Sequence, residues 1–199
     1  NKGINDDFIQ KVVISSPSLS HVIAMSEFEE DPIKCSKKYW ETSGKTAAGN
    51  SSVCRTIPVG CYMFWDEKTV VENAQLFCQL TSYDQRCIFA STLIALIISH
   101  IIQWKAGLIP DFKIDEVIEK CYSLFSNLTE AEKRDIRTFT QAKDVSDLKL
   151  GSYLQLALQS MGFAIVVLRK KMSFIEGLEL AVRSGGDTKG NSMIVCAIL

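Results

Sequence analysis

The run Cys87–Trp104 contains no Asp, Glu, Lys or Arg, and it constrains the fold more than any other feature of the sequence. Its length reaches the minimum for a membrane-spanning helix. The run nevertheless carries polar side chains, among them Ser91, Ser99 and Gln103, and amphipathic segments flank it. A helix that is apolar on all sides is also what the centre of a larger helical bundle requires. We therefore predict a buried central helix and no membrane partner, with a single transmembrane span as the alternative.

Length and charge favour a globular domain that binds neither nucleic acid nor lipid. The 199 residues suit one domain, and 47% of them are hydrophobic. The formal net charge of −1 gives no electrostatic reason to expect a duplex nucleic acid or an anionic membrane as partner. The sequence starts at Asn1 without a methionine and ends in an apolar run. We expect residues 1–199 to form a single, incomplete domain.

The cysteine and histidine residues exclude several kinds of site. The seven cysteines are scattered and never form a C-x-x-C motif, which argues against a disulfide scaffold and a cysteine zinc site. Free thiols and the absence of a visible signal peptide fit an intracellular, cytoplasmic protein. The two histidines, His21 and His100, lie far apart in the sequence, so Cys–His catalysis has little support.

Apolar residues recur at three- and four-residue spacing along most of the chain, which is typical of helices. Helix-start signals support this pattern: Asp31 precedes Pro32, and Thr129-Glu-Ala-Glu132 has the form of a capping box. No repeat, heptad array or strand-like alternation is present, so the predicted fold class is all-α. The predicted helices are 32–41, one from Glu67 onward, the central run, 114–125, one opened by Thr129, 152–169, 174–184 and a last one from about Asp187.

The segment Ala47–Arg55 is rich in small residues and leads into a helix. Such a loop can bring backbone N–H groups close to an anion such as a diphosphate. The alternative is an ordinary loop in which Asn50 caps the following turn. The segment Leu80–Arg86, between two strong helices, either lines a pocket or forms a solvated connection.

The segment Ser184–Asn191 contains paired glycines followed by Asp187 and Thr188. Glycines bend the chain out of one helix, and the two oxygen-bearing side chains follow at the start of the next. Hard cations such as Mg²⁺ require oxygen ligands, so this loop is a candidate metal site. The alternative is a glycine C-cap followed by an aspartate N-cap, with no ligand.

Taken in order, these segments resemble the ADP-ribosylglycohydrolase family over nearly the whole chain. Three sets of residues carry the resemblance: Tyr39–Gly44 with Ala47–Asn50 and Arg55–Gly60; Thr69–Thr81 with Asp84–Cys87; and Phe174–Leu178 with Gly185–Thr188. The resemblance implies an orthogonal multi-helix bundle whose central cleft holds two Mg²⁺ ions. Enzymes of this family cleave the glycosidic bond between ADP-ribose and a protein side chain or a related acceptor.

The resemblance also implies a set of site residues. The loop Ala48, Gly49, Asn50, Ser51 and Ser52 would hold the phosphates, and Ser82, Gly185 and Gly186 would line the ligand cleft. Asp187 and Thr188 would be the remaining metal or ribose contacts. The implied partners are ADP-ribose or an ADP-ribosylated protein.

Departures from the family pattern fall at the metal site. Lys189 and Gly190 stand where the family has a second Asp and a second Thr, and neither side chain can donate an oxygen. The family's upstream acidic D-D-T motif has no counterpart, because the Asp6-Asp7 pair is followed by Phe8. Ser82 replaces a histidine, Ser51 replaces a glycine, and Cys54 replaces a methionine.

Three hypotheses follow. In the first, the chain keeps the fold with impaired hydrolysis and residual ADP-ribosyl binding, and Lys189 pairs with Asp187. In the second, it is an active Mg²⁺-dependent hydrolase completed by a further N-terminal segment. In the third, it is a non-catalytic structural or interaction protein.

Overall fold

The computed structural model describes residues 17–150 and 156–199. These residues form ten α-helices and two short 3-10 helices, and they contain no β-strand. The all-α prediction is therefore confirmed. In chain order the helices are α1 (Pro17–Ile23), α2 (Pro32–Thr42), α3 (Ser51–Thr56), α4 (Glu67–Gln79), α5 (Gln85–Lys105), α6 (Ile114–Ser123), α7 (Glu130–Thr140), α8 (Leu156–Arg169), α9 (Phe174–Arg183) and α10 (Thr188–Ile198). The 3-10 helices are Ile57–Gly60 and Val145–Leu148.

Helix α5 lies at the centre of the bundle. Residues 87–99 are all buried, and the helix packs against α3, α4, α6, α8 and the first 3-10 helix. By length and composition α5 could cross a membrane, but 72% of its most apolar window is buried inside the protein. That burial matches the predicted core helix. The absence of a membrane partner stays a prediction.

Helix α8 is the second apolar element of the core. Residues 157–167 are buried, and the helix packs against α5, α7 and α10. Gln159 and Ser160 interrupt its apolar sequence, and both are buried. The predicted start of this helix at Ser152 lies outside the described residues.

The caps explain where several helices begin. The Asp31 carboxylate accepts a hydrogen bond from the backbone N–H of Lys34 at 2.9 Å, as the sequence predicts. Thr129 and Glu132 exchange the two hydrogen bonds of a capping box, and Ser173 and Glu176 do the same for α9. The paired glycines end α9: Gly185 and Gly186 have φ angles of +75° and +68°.

The N-terminal part of the described chain contains more helix than the sequence pattern predicts. Helices α1 and α3 are seven and six residues long, too short to show a full amphipathic repeat. The 3-10 helix after α3 then lies directly on α5. A Cβ atom at Gly60 would be 2.6 Å from the carbonyl oxygen of Ala95, so only glycine permits this approach.

Candidate functional site

The candidate site lies where the loop before α3, the start of α10 and the first turns of α8 meet. The Asn50 side-chain amide donates hydrogen bonds to the Asp187 carboxylate at 2.8 Å and to the Ser160 hydroxyl at 2.9 Å. The Ser160 hydroxyl donates in turn to the Asn191 side-chain oxygen at 2.7 Å. These four residues form one continuous network, which we call the Asn50 network.

Asp187 is the point at which the network meets the glycine-rich loop. Its side chain caps α10: Oδ1 accepts a hydrogen bond from the backbone N–H of Gly190 at 3.1 Å. Oδ2 accepts the bond from Asn50. Both carboxylate oxygens are therefore engaged within the protein. The predicted alternative of a glycine turn followed by an aspartate cap describes the local structure, and the contact with Asn50 adds to it.

Asn50 occupies the N-cap position of α3 but does not cap it. No hydrogen bond joins its side chain to the first turn of α3, and the residue is 7% exposed. The predicted capping role is wrong: Asn50 has helical backbone angles, φ −77° and ψ −7°, whereas a capping residue is extended, and its amide nitrogen binds Asp187 and Ser160. A buried amide must find acceptors, and here both come from segments more than a hundred positions away.

Ser160 and Asn191 complete the network. Asn191 ends the predicted loop Ser184–Asn191 but had no role assigned to it, and Ser160 lies outside the segments that the sequence singled out. Both are at most 1% exposed. A signal was present at Ser160: a serine in an otherwise apolar helix must satisfy its hydroxyl, either on its own helix or on a neighbour. Here Ser160 bonds to neighbouring elements.

Gly190 makes room for Asn50. A Cβ atom at position 190 would overlap the Asn50 amide nitrogen, and it would lie 2.9 Å from both Asn50 Cγ and Asp187 Oδ2. The Asn50–Asp187 hydrogen bond therefore depends on the absence of a side chain at position 190. A threonine at this place, which the resemblance implies for the family, would displace Asn50 from Asp187.

Gly190→Ala is expected to lower the free energy of unfolding by about 1–2 kcal/mol, because the new methyl group displaces Asn50 from its partners. In an Asn50→Ala background the same change is expected to cost less, since only the 2.9 Å approach to Asp187 Oδ2 remains and alanine favours a helix over glycine. Urea unfolding of the four proteins of this cycle measures the coupling. Equal effects of Gly190→Ala in both backgrounds would contradict the proposed contact.

The segment 80–87 contacts α3 and the loop that precedes it. The Arg55 guanidinium contacts the Thr81 hydroxyl, and the Cys87 thiol donates to the Gly49 carbonyl at 3.7 Å. Ser82 is 7% exposed, and its carbonyl accepts from the Cys78 thiol at 3.7 Å. Among the described hydrogen bonds, none joins Ser82 directly to Asn50 or Asp187. Ser82 is therefore not a member of the Asn50 network.

Asp84, in the same segment, organises a separate buried ion pair. Its carboxylate accepts from Arg86 Nε and Nη2 at 2.9 and 2.7 Å, and from the Trp40 indole N–H at 2.9 Å. The residue is 2% exposed and also accepts from the backbone N–H of Arg86 as the cap of α5. These hydrogen bonds and the charge of Asp84 raise the pKa of Arg86. Asp84 therefore fixes the start of α5, and hydrogen bonds within the chain use both of its carboxylate oxygens.

The predicted phosphate loop is held from both sides. Ala48 is buried, and its carbonyl accepts from the backbone N–H of Ala157 at 3.1 Å. The buried Ser52 hydroxyl donates to the Gly49 carbonyl at 2.9 Å. Gly49 and Ser51 are half-buried, so they are the members of this loop that a ligand could reach.

Three cysteine thiols lie around the loop, and burial keeps them protonated. It raises the pKa of Cys54 to about 11, with a further contribution from the Asp187 carboxylate, and it raises the pKa of Cys78 to about 11. Burial also raises the pKa of Cys87 well above its usual range. A thiol with so high a pKa is a poor nucleophile at neutral pH, so these groups act as weak hydrogen-bond donors.

The oxygen donors at the loop do not fit two Mg²⁺ ions. Asp187 is the one carboxylate of the network, and both its oxygens accept hydrogen bonds. Residues 17–150 and 156–199 contain no group of three or more His, Cys, Asp or Glu side chains that could hold a metal. Thr188 is half-buried at the first position of α10. Asp6 and Asp7 lie outside the described residues.

Lys189 does not pair with Asp187 as the sequence hypothesis expected. The residue is exposed, and the ion pairs within 4.0 Å in the described part of the chain do not include one between Lys189 and Asp187. The Asn50 amide and the Gly190 N–H bind the carboxylate instead. The predicted Lys189–Asp187 pair is therefore wrong.

Comparison with known proteins places the chain in a family. The family model described as ADP-ribosylglycohydrolase matches residues 14–199. Comparisons with curated proteins and with solved structures give no significant match. The match covers all three segments that converge on the Asn50 network, and the described residues have the all-α fold of that family. The chain therefore belongs to the ADP-ribosylglycohydrolase family.

Proposed function

We propose that this chain is a degenerate ADP-ribosylglycohydrolase that retains the cleft of the family, binds an ADP-ribosyl group weakly there, and does not carry out dimagnesium hydrolysis. One observation carries the proposal: Asp187 is the one carboxylate of the Asn50 network, and each of its oxygens already accepts a hydrogen bond from the chain itself. Mg²⁺ binds proteins through carboxylate and other oxygen ligands in octahedral geometry, and it gives up its waters reluctantly. Asp187 keeps a second acceptor position on each oxygen, but one carboxylate supplies too few ligands for two such ions.

The substitutions at positions 189 and 190 support the same conclusion. An exposed lysine and a glycine stand where the family has oxygen-bearing side chains, and Gly190 also admits Asn50 to the carboxylate. Two changes thus act together. Oxygen ligands are lost at positions 189 and 190, and the Asn50 amide donates a hydrogen bond to the carboxylate that remains. The loss of ligands alone would leave Asp187 free to bind a cation.

Residual ADP-ribosyl binding is supported by the loop before α3. Gly49 and Ser51 remain reachable, and the loop is fixed by Ala48 and Ser52. A fixed loop loses little conformational entropy when a ligand binds. In this proposal Gly49 and Ser51 contact the phosphates, and the Gly185–Gly186 turn borders the ribose end.

The first test is titration of the purified chain with ADP-ribose by calorimetry. We expect binding in the range of about 10 µM to 1 mM, and we expect Asn50→Ala to weaken it, because the network positions the loop. Asn127→Ala is the matched control, since Asn127 is an exposed asparagine remote in sequence from the loop. Absence of heat with folded protein would remove the binding part and favour a purely structural or interaction role.

The second test concerns catalysis and the metal. We expect no release of ADP-ribose from ADP-ribosylated peptides, with or without Mg²⁺, and no stoichiometric Mg²⁺ site at millimolar concentration. Mg²⁺-dependent release by the unmodified protein would overturn the proposal in favour of the active hydrolase. The same assay on a protein extended upstream of Asn1 tests completion by an N-terminal segment.

Reversal of the substitutions supplies a positive control. Lys189→Asp with Gly190→Thr adds two oxygen ligands, and the threonine also displaces Asn50 from Asp187. We expect this double variant to bind Mg²⁺ more tightly than the unmodified chain, and Lys189→Asp alone to gain less. Recovery of ADP-ribose release in the double variant would show that the rest of the site is intact.

A further inference from the structure

A cavity of about 460 Å³ lies between α6, α7 and the C-terminal end of α8. It shares no lining residue with the Asn50 network or with the predicted phosphate loop. Its volume is within the range of sites that bind small organic molecules. The cavity is therefore a candidate for a second ligand site, independent of the proposed function.

The floor of the cavity is apolar. Ile118, Phe125 and Leu128 line it, and each is at most 9% exposed. Tyr122 stands beside them, and its hydroxyl hydrogen-bonds with the Thr140 hydroxyl at 2.9 Å, which joins α6 to α7. This floor can accept an apolar group of about the size of one or two rings, whose burial there would be favourable.

The two walls carry opposite charges. Lys133 and Arg137 are four positions apart on α7 and so share one face, and Asp115 and Glu119 are related in the same way on α6. Lys133 pairs with Glu130 at 2.8 Å. Within the described part of the chain, neither Arg137 nor Glu119 has an ion pair within 4.0 Å.

Arg169 closes one end of the cavity and is already satisfied. Its Nη1 donates to the carbonyls of Thr140 and Ala142 at 2.8 and 3.0 Å, and its Nη2 pairs with Asp115. These contacts neutralise Asp115 and hold the C-terminal end of α7. Arg137 is therefore the cation at the rim that has no counter-charge of its own.

We propose that this cavity binds an amphipathic organic anion, in which an apolar body of ring size carries one carboxylate, sulfonate or phosphate. The apolar body lies on Ile118, Phe125 and Leu128, and the acidic group binds the Arg137 guanidinium. Arginine suits this role because its planar fork binds such groups in bidentate fashion. Glu119, on the opposite wall, opposes the anion and limits its affinity.

The test is titration of the full chain with 2-naphthoate, with the uncharged 2-naphthalenemethanol and inorganic phosphate as the two halves of the ligand. We expect the naphthoate to bind more tightly than either half. Arg137→Gln is expected to weaken naphthoate binding about tenfold, because a charge-assisted hydrogen bond is lost. Glu119→Gln is expected to strengthen it about twofold to threefold, because a like charge is removed.

Arg134→Gln is the matched control, since Arg134 is exposed on the same helix and does not line the cavity. It should leave binding unchanged. Opposite effects of Arg137→Gln and Glu119→Gln cannot come from a general loss of structure, and thermal unfolding of each variant checks the fold. No naphthoate binding, equal binding of the uncharged analogue, or equal effects of Arg137→Gln and Arg134→Gln would each overturn the proposal.

Discussion

Asp84→Asn is expected to lower the free energy of unfolding by about 2–4 kcal/mol, because the half-buried guanidinium of Arg86 loses its main counter-charge and keeps only Asp135 at 3.4 Å. Asparagine is as good an N-cap as aspartate, so the start of α5 keeps its cap and the loss reports on the ion pair. The Trp40 indole N–H also loses a charged acceptor. Urea unfolding at neutral pH measures the change.

Asp135→Asn is the matched control for this prediction. Asp135 is the second carboxylate near Arg86, at 3.4 Å, and its side chain is 29% exposed. The same substitution there should cost less than about 1 kcal/mol, as partly exposed pairs contribute little. Adding Arg86→Met to Asp84→Asn should recover part of the loss, because no unpaired charge then remains. Similar small effects at positions 84 and 135 would show that Asp84 is not the organising charge.

Asn50→Asp is the second substitution with a large expected effect. It replaces an amide donor with a carboxylate 2.8 Å from the Asp187 carboxylate, in a buried place. We expect a loss of about 2–4 kcal/mol at pH 7, from two lost hydrogen bonds and from repulsion between like charges. Asn127→Asp, the same change at an exposed asparagine, should stay within about 0.5 kcal/mol.

The loss caused by Asn50→Asp should depend on pH. Two facing carboxylates raise the pKa of at least one of them in the folded state, while an unfolded aspartate keeps its usual pKa of about 3.9. Between these two pKa values the folded state holds a proton that the unfolded state has released, so stability falls as the pH rises through that interval. The deficit relative to the unmodified protein should thus be smaller at pH 4 than at pH 7. An equal deficit at both pH values would exclude charge repulsion as its cause.

The sequence predicts the fold well because the long helices carry their own signals. The uncharged run predicts the central helix, and Asp31, Thr129 and the glycine pair predict helix ends to within a residue or two. Helix α1 was missed, and α3, into which Ala47–Arg55 was expected to lead, was given no bounds, because six or seven residues do not complete two turns. The packing of α3 and the following 3-10 helix on α5 depends on Gly60, whose importance is visible only beside Ala95.

The candidate site was predicted in part. The resemblance selected Asn50 and Asp187, and the structure places them in contact. The resemblance did not predict the hydrogen bond between them, because a sequence does not show in which direction two distant side chains point. The expected role of Lys189 was wrong for the same reason: a charge two positions from Asp187 on a helix points to a different side. Ser160 was missed because its hydroxyl is satisfied across three elements.

The Asn50 network also has a consequence for the order of folding. Asn50 and Asp187 are 137 positions apart, and Asn50 and Ser160 are 110 apart. Closing so long a loop costs chain entropy before any hydrogen bond repays it, so the intervening helices must already be assembled when the amide meets its partners. We expect contacts of this kind to form late in folding. We therefore expect loss of the amide to act mainly on the rate of unfolding, and the network to set the lifetime of the native state.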